Sequence, residues 1–494
     1  MFEPKRLHPI TIILTIGKNI KEIIVPIFIY FFILFFKEPS DSYWVRYSPV
    51  LFVAVALIIM SITNTLKWAR YTYRIEDNEL RIEHGLFVKK KRYIPFERIQ
   101  SLDFSENILH RPFGLVKVKV ETAGGGQDES EAEMTAIKKT DAMEIRRIIA
   151  EAKDNEKIPT EEVSEKNAVF SNETILYKIS RKQLLFFAST SGRAGVIISA
   201  IIAFGAQFQD LLPFDKVFKE VENIARAGLW IVIFIVIAML IVSWLISVTW
   251  AYLKYNDFTL NLVNNEMVIT RGLLEKRTTT IPIRRIQAVK ISESLFRQPF
   301  GYASVSVEYA GSSIPDESQI EGLIMPVVKK KDVSRFLKEA LPDYTFDLDF
   351  IGVPKRAKYR FFFIKTLFAA ILTCILSIWL WPYSLLGILL IVGAWLLGIL
   401  QYRSAGWNIT EDQLTLRSRW IQQETFFVKK NRMQSLDLFA NWFQERANLR
   451  SVATAVMSGG SGGAGVRHIN KKDAQTIFEW YRPSEKMNVI REKE

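Results

Sequence analysis

The chain has 494 residues, which is enough for several domains, and it is 49% hydrophobic and 24% charged. A single soluble core rarely shows both fractions together, whereas a chain of alternating membrane and soluble blocks does. The formal net charge of +13 suits a nucleic acid or a membrane surface. No element interleaves aromatic residues with cations along a groove-filling face, so the sequence favours the membrane surface.

The chain begins with a short apolar stretch, Ile10–Ile16, which lies between the cations Lys5 and Lys18. It is too short to cross a bilayer, so we expect it to lie at the membrane surface. Residues 181–193 repeat this pattern ahead of a longer apolar run. That run is predicted to begin after Arg193, because an arginine deep in lipid costs roughly 3 kcal/mol.

The hydropathy pattern predicts six membrane spans in three closely spaced pairs. The pairs are Ile20–Phe36 with Val50–Leu66, Ala194–Leu212 with Leu229–Trp250, and Thr366–Trp381 with Leu385–Gln401. An even number of spans separates consecutive soluble blocks, which therefore lie on one side. Because lysine and arginine cluster on that side near the span ends, the positive-inside bias places both termini and all three blocks in the cytoplasm.

Each soluble block is predicted to be a small antiparallel β-sandwich or barrel that a helix caps. In the first block Tyr71–Glu76 and Leu80–Glu83 alternate on either side of an Asp77-Asn78 turn, and Val116–Val120 alternates again. The three blocks end on helical patterns at Asp141–Ala152, Asp332–Leu341 and Lys472–Tyr481.

These patterns divide the chain into hairpins, blocks and a linker. The linker is rich in Glu, Lys and Asn, so we expect it to be mobile. The division is an interfacial segment and first hairpin over 1–69, a block over 70–152, the charged linker over 153–180, an interfacial segment and second hairpin over 181–251, a block over 252–345, the third hairpin over 353–402, a block over 403–483 and a tail over 484–494.

One pattern occurs three times without a gap, at Gly85–Gly124, Gly272–Gly311 and Arg419–Ser458. An arginine and a glutamine keep their places in every copy, as Arg98 and Gln100, Arg285 and Gln287, and Arg432 and Gln434. Each pair is two residues apart and would face one way on a strand. The pairs could bind an anion or a peptide, or they could form structural ion pairs or contact the neighbouring block. The sequence favours the structural interpretation, because half-buried arginines usually pair locally.

The first copy alone carries an unbroken cationic run, formed by Lys89, Lys90, Lys91 and Arg92. The run is shorter in the second copy and absent from the third. It predicts a site for phospholipid headgroups, where each cation near an anionic leaflet contributes about 1 kcal/mol. It equally predicts a solvated edge strand that lysines protect from pairing. The sequence leaves both interpretations open.

No group of residues predicts catalysis, a metal site or a cofactor. The single cysteine, Cys374, excludes an intrachain disulfide, and the four histidines show no ligand-like spacing. Gly459–Gly463 lacks the lysine and the helix of a phosphate loop, so it is interpreted as a hairpin tip. His468 is expected to be an ordinary surface residue.

The first two copies resemble the bacterial PH-like domain family. The resemblance rests on the lead-in Arg6-Leu7-His8-Pro9, a membrane hairpin, the strand that follows Arg98, the Phe113-Gly114 turn and the terminal helix. The third copy matches more loosely, since Ala447-Asn448 replaces the Phe-Gly pair. The resemblance covers nearly the whole chain. It implies an α+β membrane protein with six transmembrane helices in three hairpins, each followed by a PH-like antiparallel β-sandwich with a C-terminal helix. It implies no catalytic reaction, and it points to a partner membrane protein of the same family.

We therefore expect a non-enzymatic membrane scaffold that presents three cytoplasmic PH-like domains to proteins or lipid headgroups. A role in envelope stress or antimicrobial resistance would fit. The expected partners are membrane lipids and a related membrane protein, with a homo-oligomer left open and no nucleic acid. The alternative is a transporter or lipid-handling protein that uses the six spans, although no span carries a charge that must lie at mid-bilayer.

Overall fold

The computed structural model describes residues 4–17, 19, 43–122, 132–155, 174–191, 229–309, 322–379, 385, 387–458 and 462–482. Within them the chain forms three modules of antiparallel β-sheet, one for each predicted soluble block, together with helices that connect or cap the modules. The predicted spans Ile20–Phe36 and Ala194–Leu212 lie outside the described residues, as does most of the predicted linker.

Each module contributes seven strands to the described part of the chain. Module 1 contains β1 Lys5–Arg6, β2 Thr72–Glu76, β3 Glu79–His84, β4 Lys90–Pro95, β5 Ile99–Glu106, β6 Leu115–Thr122 and β7 Ala132–Lys138. Module 2 contains β8 Thr174–Lys178, β9 Thr259–Val263, β10 Glu266–Arg271, β11 Lys276–Pro282, β12 Ile286–Glu293, β13 Tyr302–Tyr309 and β14 Leu323–Lys329. Module 3 contains β15 Ile351–Gly352, β16 Gly406–Thr410, β17 Gln413–Arg419, β18 Gln423–Lys429, β19 Met433–Phe439, β20 Leu449–Val456 and β21 Gly463–Asn470.

The helices fall into long apolar helices, short helices and helices that cap a module. They are α1 Tyr43–Ala69, α2 Lys139–Asn155, α3 Arg181–Ser189, α4 Leu229–Tyr255, α5 Val333–Leu337, α6 Lys358–Trp379, α7 Gly387–Ser404, α8 Trp442–Arg446 and α9 Lys471–Tyr481. Residues 10–17 are also helical. Short 3-10 turns precede several strands, at Phe96–Arg98, Arg111–Phe113, Ile283–Arg285, Gln298–Phe300, Lys330–Asp332, Lys355–Ala357 and Lys430–Arg432.

The first strand of every module precedes the apolar region that introduces that module. β1 pairs with β2, β8 pairs with β9, and β15 pairs with β16, in each case antiparallel. The predicted hairpins are therefore insertions between the first and second strands of a module. Residues 174–178, which the sequence analysis assigned to the charged linker, are part of a sheet. Their apolar Leu176 and Tyr177 are buried, and Tyr177 Oη donates to the Val327 carbonyl at 2.5 Å.

The turns follow from residues that accept a left-handed backbone. Asp77 and Asn78 have φ angles of 52° and 58°, which gives the tight turn predicted between β2 and β3. Gly114 ends the 3-10 turn before β6 at φ 60°. In module 3 the equivalent place is Asn448, at φ 51°. Asparagine is among the non-glycine residues that enter this region most readily, so the third copy keeps the turn without the glycine.

Three helical segments are long and apolar enough to cross a membrane: Ile237–Tyr255, Lys355–Ile378 and Gly387–Ser404. A shorter apolar segment, Val53–Ala69, belongs to α1. These segments overlap the second, fourth, fifth and sixth predicted spans. α6 and α7 pack closely at Gly398, where an added Cβ would lie only 2.3 Å from the Cβ of Phe362. A small residue at a helix crossing allows this approach of the two backbones.

Strand pairing joins the three modules into one continuous body. β5 of module 1 pairs with β11 of module 2, and β12 of module 2 pairs with β18 of module 3. Two seven-stranded sheets result, in the orders β7-β6-β5-β11-β10-β9-β8 and β14-β13-β12-β18-β17-β16-β15. A four-stranded sheet, β1 to β4, begins the array, and a three-stranded sheet, β19 to β21, ends it.

The junction between modules 2 and 3 also shares apolar core. Phe427 lies on β18 of module 3, yet it is only 1% exposed and belongs to the core of module 2. Ala288 of module 2 conversely belongs to the core of module 3. Because each core includes a neighbour's side chain, unfolding one module exposes apolar surface of the other.

We predict that Phe427→Ala lowers the free energy of unfolding by roughly 3–5 kcal/mol, the cost of a large cavity in a core. Tyr93→Ala, at the equivalent place on β4 of module 1, should cost less than about 1 kcal/mol, because Tyr93 is 51% exposed. Urea unfolding of the detergent-purified protein, followed by circular dichroism, compares the two. Equal losses would contradict the shared core.

Candidate functional site

The two junctions between modules use the same strand register. Lys276 lies opposite Glu106 at the first junction, and Gln423 lies opposite Glu293 at the second. These residues occupy equivalent places in the three aligned copies. The repeated pattern in the sequence therefore encodes one kind of joint between modules, formed twice.

A buried polar network holds the second junction. Gln423 Nε2 donates to Glu293 Oε1 at 2.9 Å, and Lys330 Nζ lies 2.8 Å from the same oxygen. Arg419 donates to Ser404 Oγ at 2.9 Å and also to Gln298. Burial lowers the pKa of Arg419, while the nearby Glu293 carboxylate raises it. Since buried polar groups are stable only when they are paired, these bonds fix how module 3 sits on module 2.

The sequence analysis placed the arginines of the three copies on strands, but the structure does not. Arg98, Arg285 and Arg432 each end a 3-10 turn, and the strand begins at the next residue. The turn forms because the chain changes sheets here. In module 1, for example, Phe96 N donates to the Asn78 carbonyl at 3.0 Å. The structure places the three Arg/Gln pairs at three separate positions and does not bring them into one site.

Arg285 contacts the neighbouring module. Its Nη2 atom donates to the Ile99 carbonyl of module 1 at 3.4 Å, and burial lowers its pKa, as does Arg284. Gln287 is buried, and its Nε2 donates to the Arg285 carbonyl at 2.9 Å. Both contacts of this pair are therefore with backbone carbonyls at or near the junction between modules. Arg98, the equivalent residue of module 1, is exposed.

Gln434 is exposed on β19, and Arg432 is half-buried in a cleft of about 610 Å³ between modules 2 and 3. The cleft places three cations beside three carboxylates, so its charge favours neither anions nor cations. Those six residues are Arg284, Lys429, Arg432, Asp343, Glu411 and Asp412. The side chain of Gln100 lies outside the described part of the chain.

The loop between the third and fourth strands of each module carries exposed apolar residues, which we call the apolar tips. They are Phe87 and Val88 in module 1, Leu273 and Leu274 in module 2, and Trp420 and Ile421 in module 3.

Hydrogen bonds hold all three tips beside the end of an apolar helix. Arg70, just after α1, donates to the Leu86 carbonyl. Leu273 N donates to the Leu253 carbonyl at 2.9 Å. Gln401 Nε2 donates to the Trp420 carbonyl at 2.7 Å. The apolar tips are therefore close to where a membrane surface would lie.

A second exposed apolar turn follows the fifth strand of each module. It contains Ile108 and Leu109 in module 1, Leu295 and Phe296 in module 2, and Trp442 and Phe443 in module 3. Arg111 Nη2 donates to the Leu273 carbonyl at 2.6 Å, so this turn of module 1 lies beside the tip of module 2. Clustered exposed apolar side chains of this kind mark contact with a membrane or a protein.

The cationic run Lys89 to Arg92 begins directly after the apolar tip of module 1. All four side chains are exposed. Lys89 Nζ lies 2.6 Å from a Glu83 carboxylate oxygen and lowers the pKa of that carboxyl. Lys91 lies 3.7 Å from the other oxygen. Burial lowers the pKa of His84, and the nearby cations Arg92 and Lys90 lower it further. The run therefore begins in the loop that carries the apolar tip of module 1 and continues along β4.

His468 is not the ordinary surface residue that the sequence analysis expected. Its ring packs edge-on against Phe361 with centroids 5.1 Å apart, and its Nδ1 lies 2.9 Å from Gln444 Nε2. It has a φ of 61° on a strand whose pairing shifts register nearby. Burial lowers its pKa to about 4, helped by the nearby cations Arg360 and Arg467. The sequence signal was the flanking Arg467, which alone did not indicate burial.

Comparison with known proteins agrees with this architecture. The model of a family described as bacterial PH domain matches the chain three times, over residues 24–153, 218–342 and 360–485. The chain belongs to the bacterial PH domain family. A relative in Bacillus subtilis (strain 168), named UPF0699 transmembrane protein YdbT, is 36% identical over 497 residues, which cover 97% of this chain and 98% of the relative. No solved structure matches the chain.

The bacterial PH domain matches confirm the resemblance predicted from the repeated pattern. Together with the apolar helices and the named relative, they identify a membrane protein of mixed helices and antiparallel sheets. The matched ranges begin after β1, β8 and β15. The strand that precedes each hairpin is therefore a part of the module that the family match does not include.

We predict that Glu293→Ala destabilises the protein by roughly 2–3 kcal/mol, because it leaves the buried Gln423 amide without its acceptor. Glu106→Ala is the matched control at the first junction. Glu106 contacts Lys139 at 2.6 Å, but the Lys139 side chain is 47% exposed, so this loss should stay below about 1 kcal/mol. Urea unfolding measures both, and a larger loss for Glu106→Ala would contradict the role of the buried network.

The pKa of His468 predicts a pH dependence of stability. The folded pKa of about 4 lies below the unfolded value, so the unfolded state binds a proton first as the pH falls. Stability from this group is complete above about pH 6.5 and declines toward pH 4, by on the order of 2 kcal/mol. Unfolding of the wild type and of His468→Gln at pH 7.5 and pH 5 should show a smaller decline in the variant. An unchanged decline would assign the pH dependence to other groups.

Proposed function

We propose that the chain is a non-enzymatic membrane scaffold, in which six spans anchor three bacterial PH domains and present them in a fixed row. The observation that carries this proposal is the pairing of β5 with β11 and of β12 with β18. Two continuous sheets hold the three modules in a defined order and orientation. A fixed order of repeated binding modules suits assembly of partners and gives each weak contact a high effective concentration.

The shared sheets also support the proposed topology. Modules that pair strand to strand must lie on the same side of a membrane, and an even number of spans between modules satisfies that condition. The cations near the span ends favour the cytoplasmic side. We therefore propose a multi-pass protein of the cell membrane whose termini and three domains are cytoplasmic.

The exposed surface supports membrane lipid as one ligand. The apolar tips and apolar turns project near the helix ends, where their side chains would enter the interfacial region. In module 1 the run Lys89 to Arg92 follows directly, and each cation near an anionic leaflet contributes about 1 kcal/mol. Lys89 and Lys91 share Glu83, which reduces their contribution. A protein partner of the same family and a role in envelope stress remain proposals from the family resemblance.

The proposed topology is tested by reporter fusions after Asp154, after Pro342 and at the C-terminus. All three should score as cytoplasmic. One reporter on the opposite side would remove the same-side argument and the scaffold with it.

Contact of the apolar tips with lipid is tested by spin labels in a Cys374→Ser background. We expect labels at Phe87→Cys, Leu274→Cys and Ile421→Cys in proteoliposomes to be more accessible to oxygen than to a polar nickel reagent. Glu97→Cys is the control, since Glu97 is exposed in the 3-10 turn at the opposite end of the module 1 strands. Equal nickel accessibility at the tips and at the control would contradict the lipid contact.

A further inference from the structure

Among the described strands, the row of modules ends in two edges, on β4 and on β19, that have no strand partner. Along the described part of the chain, β5 and β12 each pair with the fourth strand of the next module, whereas their counterpart β19 has a pairing partner on only one side, β20. At the other end, β11 and β18 each pair with the preceding module, whereas their counterpart β4 has a strand partner only in β3. We infer that β4 of one copy of the chain pairs with β19 of a second copy, which extends the row head to tail.

Equivalent residues are more exposed on the end strands β4 and β19 than on the strands that pair between modules. Gln287 on β12 is 7% exposed, whereas its counterpart Gln434 on β19 is exposed. Val289 is fully buried, whereas its counterpart Leu436 is only half-buried. β19 therefore carries the same residue types as a strand that a neighbouring module covers, yet these side chains are exposed or half-buried.

The same contrast holds at β4. Phe427 on β18 is 1% exposed in the core of the preceding module, whereas its counterpart Tyr93 on β4 is 51% exposed. Applying the register of the existing junctions places Tyr93 of one copy opposite Leu436 of the next, because Phe427 lies opposite Val289. Tyr93 would then cover a core that includes Leu436 and Leu438 at its margin.

Charge favours a joint between unlike ends. In the shared register Arg92 lies opposite Asp437, the one charged residue of β19. Two β4 strands would instead bring together two cationic runs, which like-charge repulsion opposes. Arg98 would also gain a hydrogen-bond acceptor in this joint. It would reach the Met433 carbonyl of the second copy, as Arg285 reaches the Ile99 carbonyl within one chain.

A second copy is the occupant that these observations favour, because one chain carries both halves of the joint. The pairing also suits anchored molecules. β4 begins at an apolar tip and β19 leads to the apolar turn at Trp442, so both strands start or end close to the proposed membrane surface. Because the two surfaces differ, the contact is heterologous and generates a row or a ring rather than a closed dimer.

The test is disulfide cross-linking between two differently tagged copies, expressed together in membranes in a Cys374→Ser background. One copy carries Tyr93→Cys and the other carries Leu436→Cys. Residues directly opposite on antiparallel strands have Cα atoms about 4.5–5.5 Å apart, which suits a disulfide. We expect an oxidant to link the two tags.

The matched control replaces Leu436→Cys with Leu102→Cys. Leu102 holds the same place on β5, but β5 already pairs with β11 of its own chain and Leu102 is buried. This pair should not link. Equal linking of both pairs would show random collision, and no linking of the Leu436→Cys pair in a folded protein would overturn the inference.

A charge exchange provides a second measurement that does not depend on cysteine. Arg92→Asp and Asp437→Arg should each lower the affinity of self-association about tenfold in detergent, as measured by mass photometry across concentrations. Mixing the two variants should restore association close to the wild-type affinity, since every joint between unlike variants then brings opposite charges together again. A wild-type protein that stays monomeric at all concentrations and forms no cross-link would indicate a different occupant and would overturn the inference.

Discussion

The hydrogen-bonding edge of the β-strand is the constraint on which this structure depends. An edge strand presents a row of unpaired N–H and C=O groups, which must be paired, covered or kept in water. The chain pairs such edges with each other, β5 with β11 and β12 with β18. The buried network around Glu293 and the shared Phe427 core follow from that choice, because pairing the edges brings those side chains into one interior. The order of the modules is thus set by backbone chemistry, and the side chains make each joint specific.

The predicted membrane hairpins are inserted within the modules, whereas a membrane anchor is usually attached to one end of a domain. Each lies between the first and second strands of a module, so the module cannot be cut from its anchor without losing a strand. Hydrogen bonds from Gln401 and Arg70 to the neighbouring loops tie the helix ends to the module as well. This arrangement fixes the orientation of each module relative to the end of its apolar helix.

The sequence predicts local structure well because local rules determine it. Asp77 and Asn78 specify a two-residue turn, alternation specifies β6, and the helical pattern after Lys471 specifies α9. It does not predict the strand at residues 174–178, since a strand of five residues beside a charged segment gains its stability from a distant partner, β9. Nor does it predict the joints. Arg285 and Gln287 stand out as repeated residues, but their role depends on Ile99, which lies far away in the chain and becomes a neighbour only through the shared sheet.

The position of the hairpins has a consequence for how the chain matures. During synthesis β1 leaves the ribosome well before β2, so the two strands can pair only after the intervening residues, which carry the predicted hairpin, have been made. Completion of each sheet therefore waits for the segment that carries its predicted hairpin, and this order repeats for each module from the N-terminus onward. If the segment between the first and second strands were misplaced, those two strands could not meet. The second strand would then keep an unpaired edge.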